Sequence, residues 1–133
     1  GFKVGLDPDR AEMTVIGLGG RIPTQKAELF IGNAGTAARF LTAFLTLGEG
    51  EYLLDGSARM RERPIGDLVG ALMKLGTDVK AFSGQQSAVC PPLKILASGL
   101  PGGKTEVAGN ISSQYLSALL MIAPYAQSAR PDF

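Results

Sequence analysis

Residues 28–47 read ELFIGNAGTAARFLTAFLTL, and this stretch decides the fold class. Its first four residues predict a short strand. The apolar run of residues 37–47 has the length of a helix, which Gly48 and Gly50 then end. The turn between them, GNAGT at residues 32–36, leads the strand directly into a helix N-terminus. Such an N-terminus carries unpaired N–H groups and the positive end of the helix dipole. The stretch therefore predicts an α/β unit with a potential anion site.

The strand-to-helix pattern recurs along the 133 residues, which are enough for one domain with a core. A second helical pattern begins at Pro64 and ends before Gly76, and a third covers about residues 111–125. The order strand–helix–strand–helix–three strands–helix predicts a mixed α/β (α+β) fold. The predicted strands are residues 2–6, 12–18, 28–31, 51–55, 77–82, 93–97 and 104–108.

Composition excludes several classes of function. Apolar residues make up 45% of the chain and charged residues 19%, and the net charge of +1 predicts neither a nucleic-acid nor a membrane partner. The chain has no histidine, which excludes Ser-His-Asp and Cys-His triads. Its single cysteine, Cys90, excludes a disulfide within the chain and a cysteine-based zinc site. We interpret Cys90 as structural, and a reduced, cytoplasmic setting fits these features best.

Three arginines precede the second helix in the segment RMRERPIG, residues 59–66. A positive charge at a helix N-terminus opposes the dipole and costs about 0.3–1 kcal/mol when exposed. The segment is either a solvated charged loop or an anion site, because a bound anion would reverse the sign of that cost. Arginine grips phosphate or carboxylate with a two-pronged fork, which favours the second interpretation.

The third helix start, GNISSQ at residues 109–114, carries two hydroxyls and an amide. One interpretation is simple N-capping by Asn110 or Ser112, just as Asn33 or Thr36 would cap the first helix. Two adjacent serines and a glutamine exceed what one cap requires, however, and all three can bind a phosphate.

Together these segments resemble the signatures of a known family. LFIGNAGTAAR (residues 29–39) is similar to the GNAGTA-x-R signature of the 3-phosphoshikimate 1-carboxyvinyltransferase, or EPSP synthase, family. RMRERPIG resembles that family's R-x-K/R-E-R-P-I-G signature, and ISSQYLSALLM (residues 111–121) resembles its S-S-Q segment. The order and spacing of the three segments also match, so the resemblance covers nearly the whole chain.

The resemblance implies a transferase of the shikimate pathway, which leads to chorismate and the aromatic amino acids. The enolpyruvyl group of phosphoenolpyruvate passes to the 5-hydroxyl of shikimate 3-phosphate through a tetrahedral intermediate, and phosphate is released. No metal or organic cofactor is implied. The implied fold has two lobes of βαβαββ units whose helix N-termini point into the cleft between the lobes.

The resemblance also implies the substrate contacts. Gly35 would offer its backbone to phosphoenolpyruvate, and Arg63 would hold the anionic groups of that substrate. Ser112 and Ser113 would bind the phosphate of shikimate 3-phosphate, and Gln114 would lie between the two substrates. The residues expected to shape the first loop and its contacts are Asn33, Thr36 and Arg39.

The chain departs from the family in ways that limit these expectations. The early Lys-Ser segment and the aspartate general base have no counterpart, so no catalytic residue is expected within the chain. Both ends look cut, and we expect residues 1–133 to form one partial domain from the middle of the N-terminal lobe, inactive without the remainder of the enzyme. Ala38 stands where many members carry methionine, and Phe40 where many carry proline. Both border the loop that the resemblance assigns to phosphoenolpyruvate and to the inhibitor glyphosate.

Two alternatives stay open at the level of sequence. A relative of the enzyme that transfers enolpyruvate to UDP-N-acetylglucosamine would share the fold, but the S-S-Q segment and the setting of Cys90 argue against it. A non-catalytic α/β anion-binding module, complete as it stands, is the alternative from another class. In the preferred case we expect an exposed apolar face and a tendency to self-associate.

Overall fold

An antiparallel hairpin opens the chain in the computed structural model, which describes residues 1–82, 88–108 and 112–127. Its strands are β1 (Lys3–Asp7) and β2 (Glu12–Ile16). The turn between them closes as its sequence predicts, because the backbone N–H of Arg10 donates to the Asp7 side chain over 3.1 Å and Pro8 follows Asp7. The hairpin forms a two-stranded sheet of its own.

The main body is one βαβαββ unit, as the family resemblance implied. It consists of β3 (Lys26–Phe30), α1 (Gly35–Leu45), β4 (Glu49–Asp55), α2 (Gly66–Lys74), β5 (Asp78–Ala81) and β6 (Leu93–Ser98). The strand order is β3-β4-β6-β5. Strands β3 and β4 run parallel through the α1 crossover, while β6 is antiparallel to both of its neighbours. The mixed α/β class is therefore confirmed.

The last helix is α3 (Ser113–Ile122), which packs against α1. It ends in a short 3₁₀ turn at Ala123–Tyr125, because Pro124 cannot continue an α-helix. Every helix in the described part of the chain is too short or too polar to cross a membrane.

The core lies between one face of the four-stranded sheet and the three helices. Tyr52 is fully buried there, and its hydroxyl donates to the Thr24 carbonyl over 2.7 Å. Gly50 allows the chain to pass close by, because a Cβ at that position would lie 1.9 Å from the Gln25 carbonyl oxygen. The apolar side chains that fill the core include Leu54, Met60, Leu68, Leu72, Leu93, Ile95, Leu100, Tyr115, Ala118 and Ile122.

The strand predicted at residues 104–108 is wrong. That segment follows Gly102 and Gly103, both with positive φ, and it crosses α2 as an irregular stretch. The Thr105 hydroxyl donates to the Ala71 carbonyl over 2.8 Å, so a side chain anchors the segment rather than a strand ladder. The alternation that suggested a strand, with Val107 packed on the core, instead reflects this one-sided contact.

The predicted helix starts were displaced by two residues in both of the first two helices. Helix α1 begins at Gly35, inside the glycine turn, rather than at Ala37. Helix α2 begins at Gly66 rather than Pro64, because the backbone of Ile65 (φ −136°, ψ 12°) lies outside the helical region. Arg63 is extended (φ −87°, ψ 117°), as expected for a residue before proline. The third helix is described from Ser112 onward, so the predicted residues 109–111, including Asn110, lie outside the described residues.

Candidate functional site

Three helix N-termini converge at one end of the molecule. The Gln114 side-chain amide in the first turn of α3 donates to the Thr36 hydroxyl in the first turn of α1 over 3.1 Å. The Tyr115 hydroxyl on α3 donates to the Pro64 carbonyl, two residues before α2, over 3.0 Å. These bonds bring the positive ends of three helix dipoles together.

The N-terminus of α1 has no side-chain cap. Its cap position is Ala34, which cannot supply a capping oxygen, so the simple caps considered for Asn33 and Thr36 are wrong. The turn is instead held by the backbone, because the N–H groups of Ile31 and Ser57 donate to the carbonyls of Asp55 and Gly32, each over 2.9 Å. The first-turn N–H groups are consequently not used by any capping side chain.

Two guanidinium groups flank Gly35. A Cβ at that position would lie 2.8 Å from Nη1 of Arg39 and also 2.8 Å from Nη1 of Arg63. Arg39 reaches back one turn along α1, and its Nη1 donates to the Gly35 carbonyl over 2.8 Å. Both arginines are half-buried. The geometry thus combines an uncapped helix start, a glycine with no Cβ and two positive charges beside it.

The other two arginines of the RMRERPIG segment are neutralised. Arg61 forms a fork with both carboxylate oxygens of Asp55, over 2.9 and 2.5 Å, and Arg59 contacts Glu62 over 2.7 Å. Hydrogen bonding to Arg61 lowers the pKa of Asp55, and the same bond raises the pKa of Arg61. Of the two interpretations of this segment, the solvated charged loop therefore applies to Arg59 and Arg61, because carboxylates already pair with both.

The start of α3 presents the serine pair. Ser112 is the N-cap, with extended backbone, and its hydroxyl accepts from the Gln114 backbone N–H over 3.3 Å. The capping interpretation is correct for Ser112, although a hydroxyl that accepts one bond can still donate another. Ser113 is exposed beside it, and its carbonyl accepts from Ser117. Asn33 is exposed in the turn before α1.

A cavity of about 540 Å³ opens between these elements. It reaches the starts of α2 and α3 and, on α1, only Arg39 in the second turn, so Gly35, Arg63, Ser113 and Gln114 do not line it. The residues around it are Arg39, Pro64, Gly66, Asp67, Ala88, Val89, Ser112 and Tyr115. A larger groove of about 660 Å³ lies along the other side of α3, but its lining is mainly apolar and includes none of the predicted site residues. We therefore assign the site by the positions of its hydrogen-bond donors and not by which cavity is larger.

Sequence reasoning missed Tyr115 and the partner of Arg61. Tyr115 is buried directly after Gln114, and the Arg39 guanidinium carbon lies 5.5 Å from the centre of its ring. Its pairing with α1 is visible only once the helices are packed. Cys90 behaves as interpreted, since it is buried and burial raises the pKa of its thiol.

These features define a class: an α/β unit of βαβαββ topology that gathers helix N-termini and arginines into a candidate anion site. The family model of EPSP synthase (3-phosphoshikimate 1-carboxyvinyltransferase) matches residues 2–130. The chain belongs to the EPSP synthase family.

Curated relatives with the name 3-phosphoshikimate 1-carboxyvinyltransferase support this assignment across distant sources. The chain is 54% identical to the protein of Shewanella amazonensis over 130 residues, which cover 97% of this chain and 30% of the relative. It is 51% identical to the chloroplastic 3-phosphoshikimate 1-carboxyvinyltransferase 1 of Nicotiana tabacum over 134 aligned residues. These cover 95% of this chain and 25% of the relative. The chain thus spans less than a third of the length of these relatives.

Solved structures agree on the fold. EPSP synthase from Acinetobacter baumannii superposes with a TM-score of 0.78 at 24% identity, covering 95% of this chain and 28% of that one. None of these comparisons supports the alternative assignment to the UDP-N-acetylglucosamine enzyme.

Proposed function

We propose that this chain supplies part of the substrate site of an enzyme that transfers the enolpyruvyl group of phosphoenolpyruvate to the 5-hydroxyl of shikimate 3-phosphate. Membership of the EPSP synthase family supports the reaction class. Because the chain spans about 30% of its relatives, we propose further that residues 1–133 form the middle of the N-terminal lobe. The remainder of the enzyme would be its partner, in a cytoplasmic setting, without nucleic acid or membrane.

The observation that carries the proposal is the arginine pair at Gly35. Nη1 of Arg39 and Nη1 of Arg63 each lie 2.8 Å from the position that a Cβ would take at Gly35. Their positive charges repel each other, and an anion between or beside them would offset that repulsion. Phosphoenolpyruvate offers both a carboxylate and a phosphate, each able to accept the forked donors of a guanidinium group. In this role Arg39 and Arg63 hold the anionic groups, and the N–H groups at Gly35 complete the site.

The start of α3 suits the second substrate. Ser112 and Ser113 offer hydroxyls at a helix N-terminus, where the dipole favours a phosphate. Gln114 follows the serine pair and donates to Thr36, the residue after Gly35, so it would lie between the two substrates. This arrangement would hold the phosphate of shikimate 3-phosphate beside phosphoenolpyruvate with the reacting groups facing each other.

The contribution of this chain to the reaction is electrostatic. In this reaction the 5-hydroxyl adds to the enol carbon, and the resulting tetrahedral intermediate expels phosphate. Arg39 and Arg63 would stabilise the negative charge on that leaving phosphate. The proton transfers would be made by groups in the remainder of the enzyme. We therefore expect the isolated chain to be inactive, and turnover at the rate of a full-length relative would contradict this.

Phosphorus NMR of the ligands tests the proposal directly. With the 133-residue chain added, the signal of shikimate 3-phosphate is expected to shift and broaden in a saturable way, whereas Ser113→Ala is expected to abolish this response. Ser98→Ala, an exposed serine at the end of β6, is the matched control and is expected to behave as wild type. An equal response from the wild type and Ser113→Ala would contradict the proposed serine site.

A further inference from the structure

Tyr115 contacts Arg39 through its ring and the backbone next to Arg63 through its hydroxyl. The face of its ring lies 5.5 Å from the Arg39 guanidinium carbon, within the range of a cation–π contact. Its hydroxyl donates over 3.0 Å to the carbonyl of Pro64, the residue directly after Arg63. Tyr115 itself is buried, with 3% of its surface exposed, so its ring has little freedom to move.

The orientation of the Arg39 guanidinium group depends on that ring, because the group has few other contacts. Its Nη1 is used by the Gly35 carbonyl, while its Nε is buried and has no acceptor among the described residues. A guanidinium group held by one hydrogen bond can still rotate about it. The ring of Tyr115 supplies the second contact, because the Arg39 guanidinium group lies over its face.

We propose that Tyr115 is a positioning residue, which holds Arg39 beside Gly35 through its ring and thereby sets the affinity for phosphoenolpyruvate. The inference rests on the proposed function for its ligand, but the ring contact exists without any ligand. Tyr115 neighbours Gln114, so the same turn of α3 that would receive the sugar phosphate also orients the arginine pair. Tyr115 would thus set the affinity for phosphoenolpyruvate and leave the affinity for shikimate 3-phosphate unchanged.

Arginine side-chain NMR tests the contact in the free chain. The Arg39 Nε–H signal is expected to be displaced by the ring current of Tyr115, to stay displaced in Tyr115→Phe, and to return to the ordinary position in Tyr115→Leu. Tyr125 is a half-exposed tyrosine that packs against Gly20, so Tyr125→Phe and Tyr125→Leu are matched controls expected to leave the signal unchanged. A displaced signal that persists in Tyr115→Leu would overturn the inference.

Ligand titrations then separate positioning from a structural role. Tyr115→Leu is expected to weaken phosphoenolpyruvate binding about tenfold, in keeping with a partly desolvated cation–π contact. Tyr115→Phe, which loses only the bond to Pro64, is expected to stay within about threefold of wild type. Shikimate 3-phosphate is expected to bind all three proteins with similar affinity. A purely structural role would lower the melting temperature and weaken both ligands equally, which would overturn the inference.

Two further results keep the outcome clear. If Tyr115→Leu fails to fold, Tyr115→Met replaces it, because methionine adapts to an irregular space and has no aromatic ring. Weaker phosphoenolpyruvate binding with unchanged shikimate 3-phosphate binding is then expected, and unchanged phosphoenolpyruvate binding would overturn the inference. If the wild-type chain binds neither ligand while the Arg39 signal behaves as expected, the proposed function fails and the ring contact stands.

Discussion

Gly35 is the residue at which one methyl group should matter most. A Cβ there would lie 2.8 Å from a nitrogen of each flanking arginine, closer than such atoms approach. The arginines are flexible enough to move away, so Gly35→Ala should fold but should spread the arginine pair. We expect phosphoenolpyruvate binding to weaken about tenfold, as when a charge-assisted hydrogen bond is weakened, with little change for shikimate 3-phosphate.

The matched control for this substitution is Gly70→Ala. Gly70 lies in α2 with open space around its would-be Cβ, so alanine should leave both affinities unchanged and raise stability by up to about 1 kcal/mol. Isothermal titration and thermal unfolding of the two variants provide the comparison. Equal effects of Gly35→Ala on both ligands would contradict the assignment of the arginine pair to one of them.

The Asp55–Arg61 pair gives a pH-dependent prediction. Because Arg61 lowers the pKa of Asp55 in the folded state, the pair contributes stability above the unfolded pKa of about 3.9 and loses it as pH falls through the folded pKa. Asp55→Asn should therefore flatten the fall of the melting temperature between about pH 5 and pH 3. Arg61→Gln should flatten it in the same way, with no further change in the double variant. An unaltered pH profile in both would contradict the pairing.

Single residues also show how far sequence reasoning reaches. Gly35 and Arg39 lie four residues apart on one helix face, so their contact follows from helical spacing. The extended backbone of Arg63 follows from Pro64. The pairing of Arg61 with Asp55 does not follow, because it depends on the loop folding back onto the end of β4. Local rules therefore predicted the arginine segment but could not separate its bound arginines from Arg63.

At the scale of elements, the Thr36–Gln114 bond joins the two halves of the site. Thr36→Val keeps the shape of the side chain but removes the oxygen that accepts from Gln114. We expect the released amide to weaken binding of both substrates by about threefold, typical of one neutral hydrogen bond, with little loss of stability because the bond is exposed. Amide-detected NMR titration measures both affinities.

Thr105→Val is the control for that prediction. It removes a hydroxyl that donates to the carbonyl of Ala71, in the C-terminal half of α2 and away from its N-terminus. This variant should lower the melting temperature and leave both affinities unchanged. The reverse pattern, with binding affected by Thr105 and not by Thr36, would contradict the coupling of α1 to α3.

Helices and strands were predictable where the spacing of apolar residues agreed with the positions of glycine. The βα start at residues 28–47 and the apolar face of α2 follow from glycine position and helical spacing. The false strand at residues 104–108 had the right alternation but lacked a neighbouring strand, which a local pattern cannot reveal. The pairing order β3-β4-β6-β5 likewise depends on long-range packing.

At the scale of the whole molecule, α3 presents an apolar surface away from the site. Leu120 and Met121 are 62% and 65% exposed, and Leu120 borders the apolar groove of about 660 Å³. In a chain less than a third as long as its relatives, we expect this surface to drive concentration-dependent self-association. Leu120→Glu should reduce the association measured by light scattering, whereas Met73→Glu on α2 serves as the exposed apolar control. A monodisperse monomer at high concentration would contradict this prediction.

The central claim is that three converging helix starts already form a substrate half-site within this chain. Amide NMR of the 133-residue chain, titrated first with shikimate 3-phosphate and then with phosphoenolpyruvate, tests it most directly. We predict saturable shifts centred on Ser113 and Gln114 for the first ligand and on Gly35 and Arg63 for the second. Shifts that scatter over surface lysines without saturating, or no shifts at millimolar ligand, would contradict a half-site formed by this chain alone.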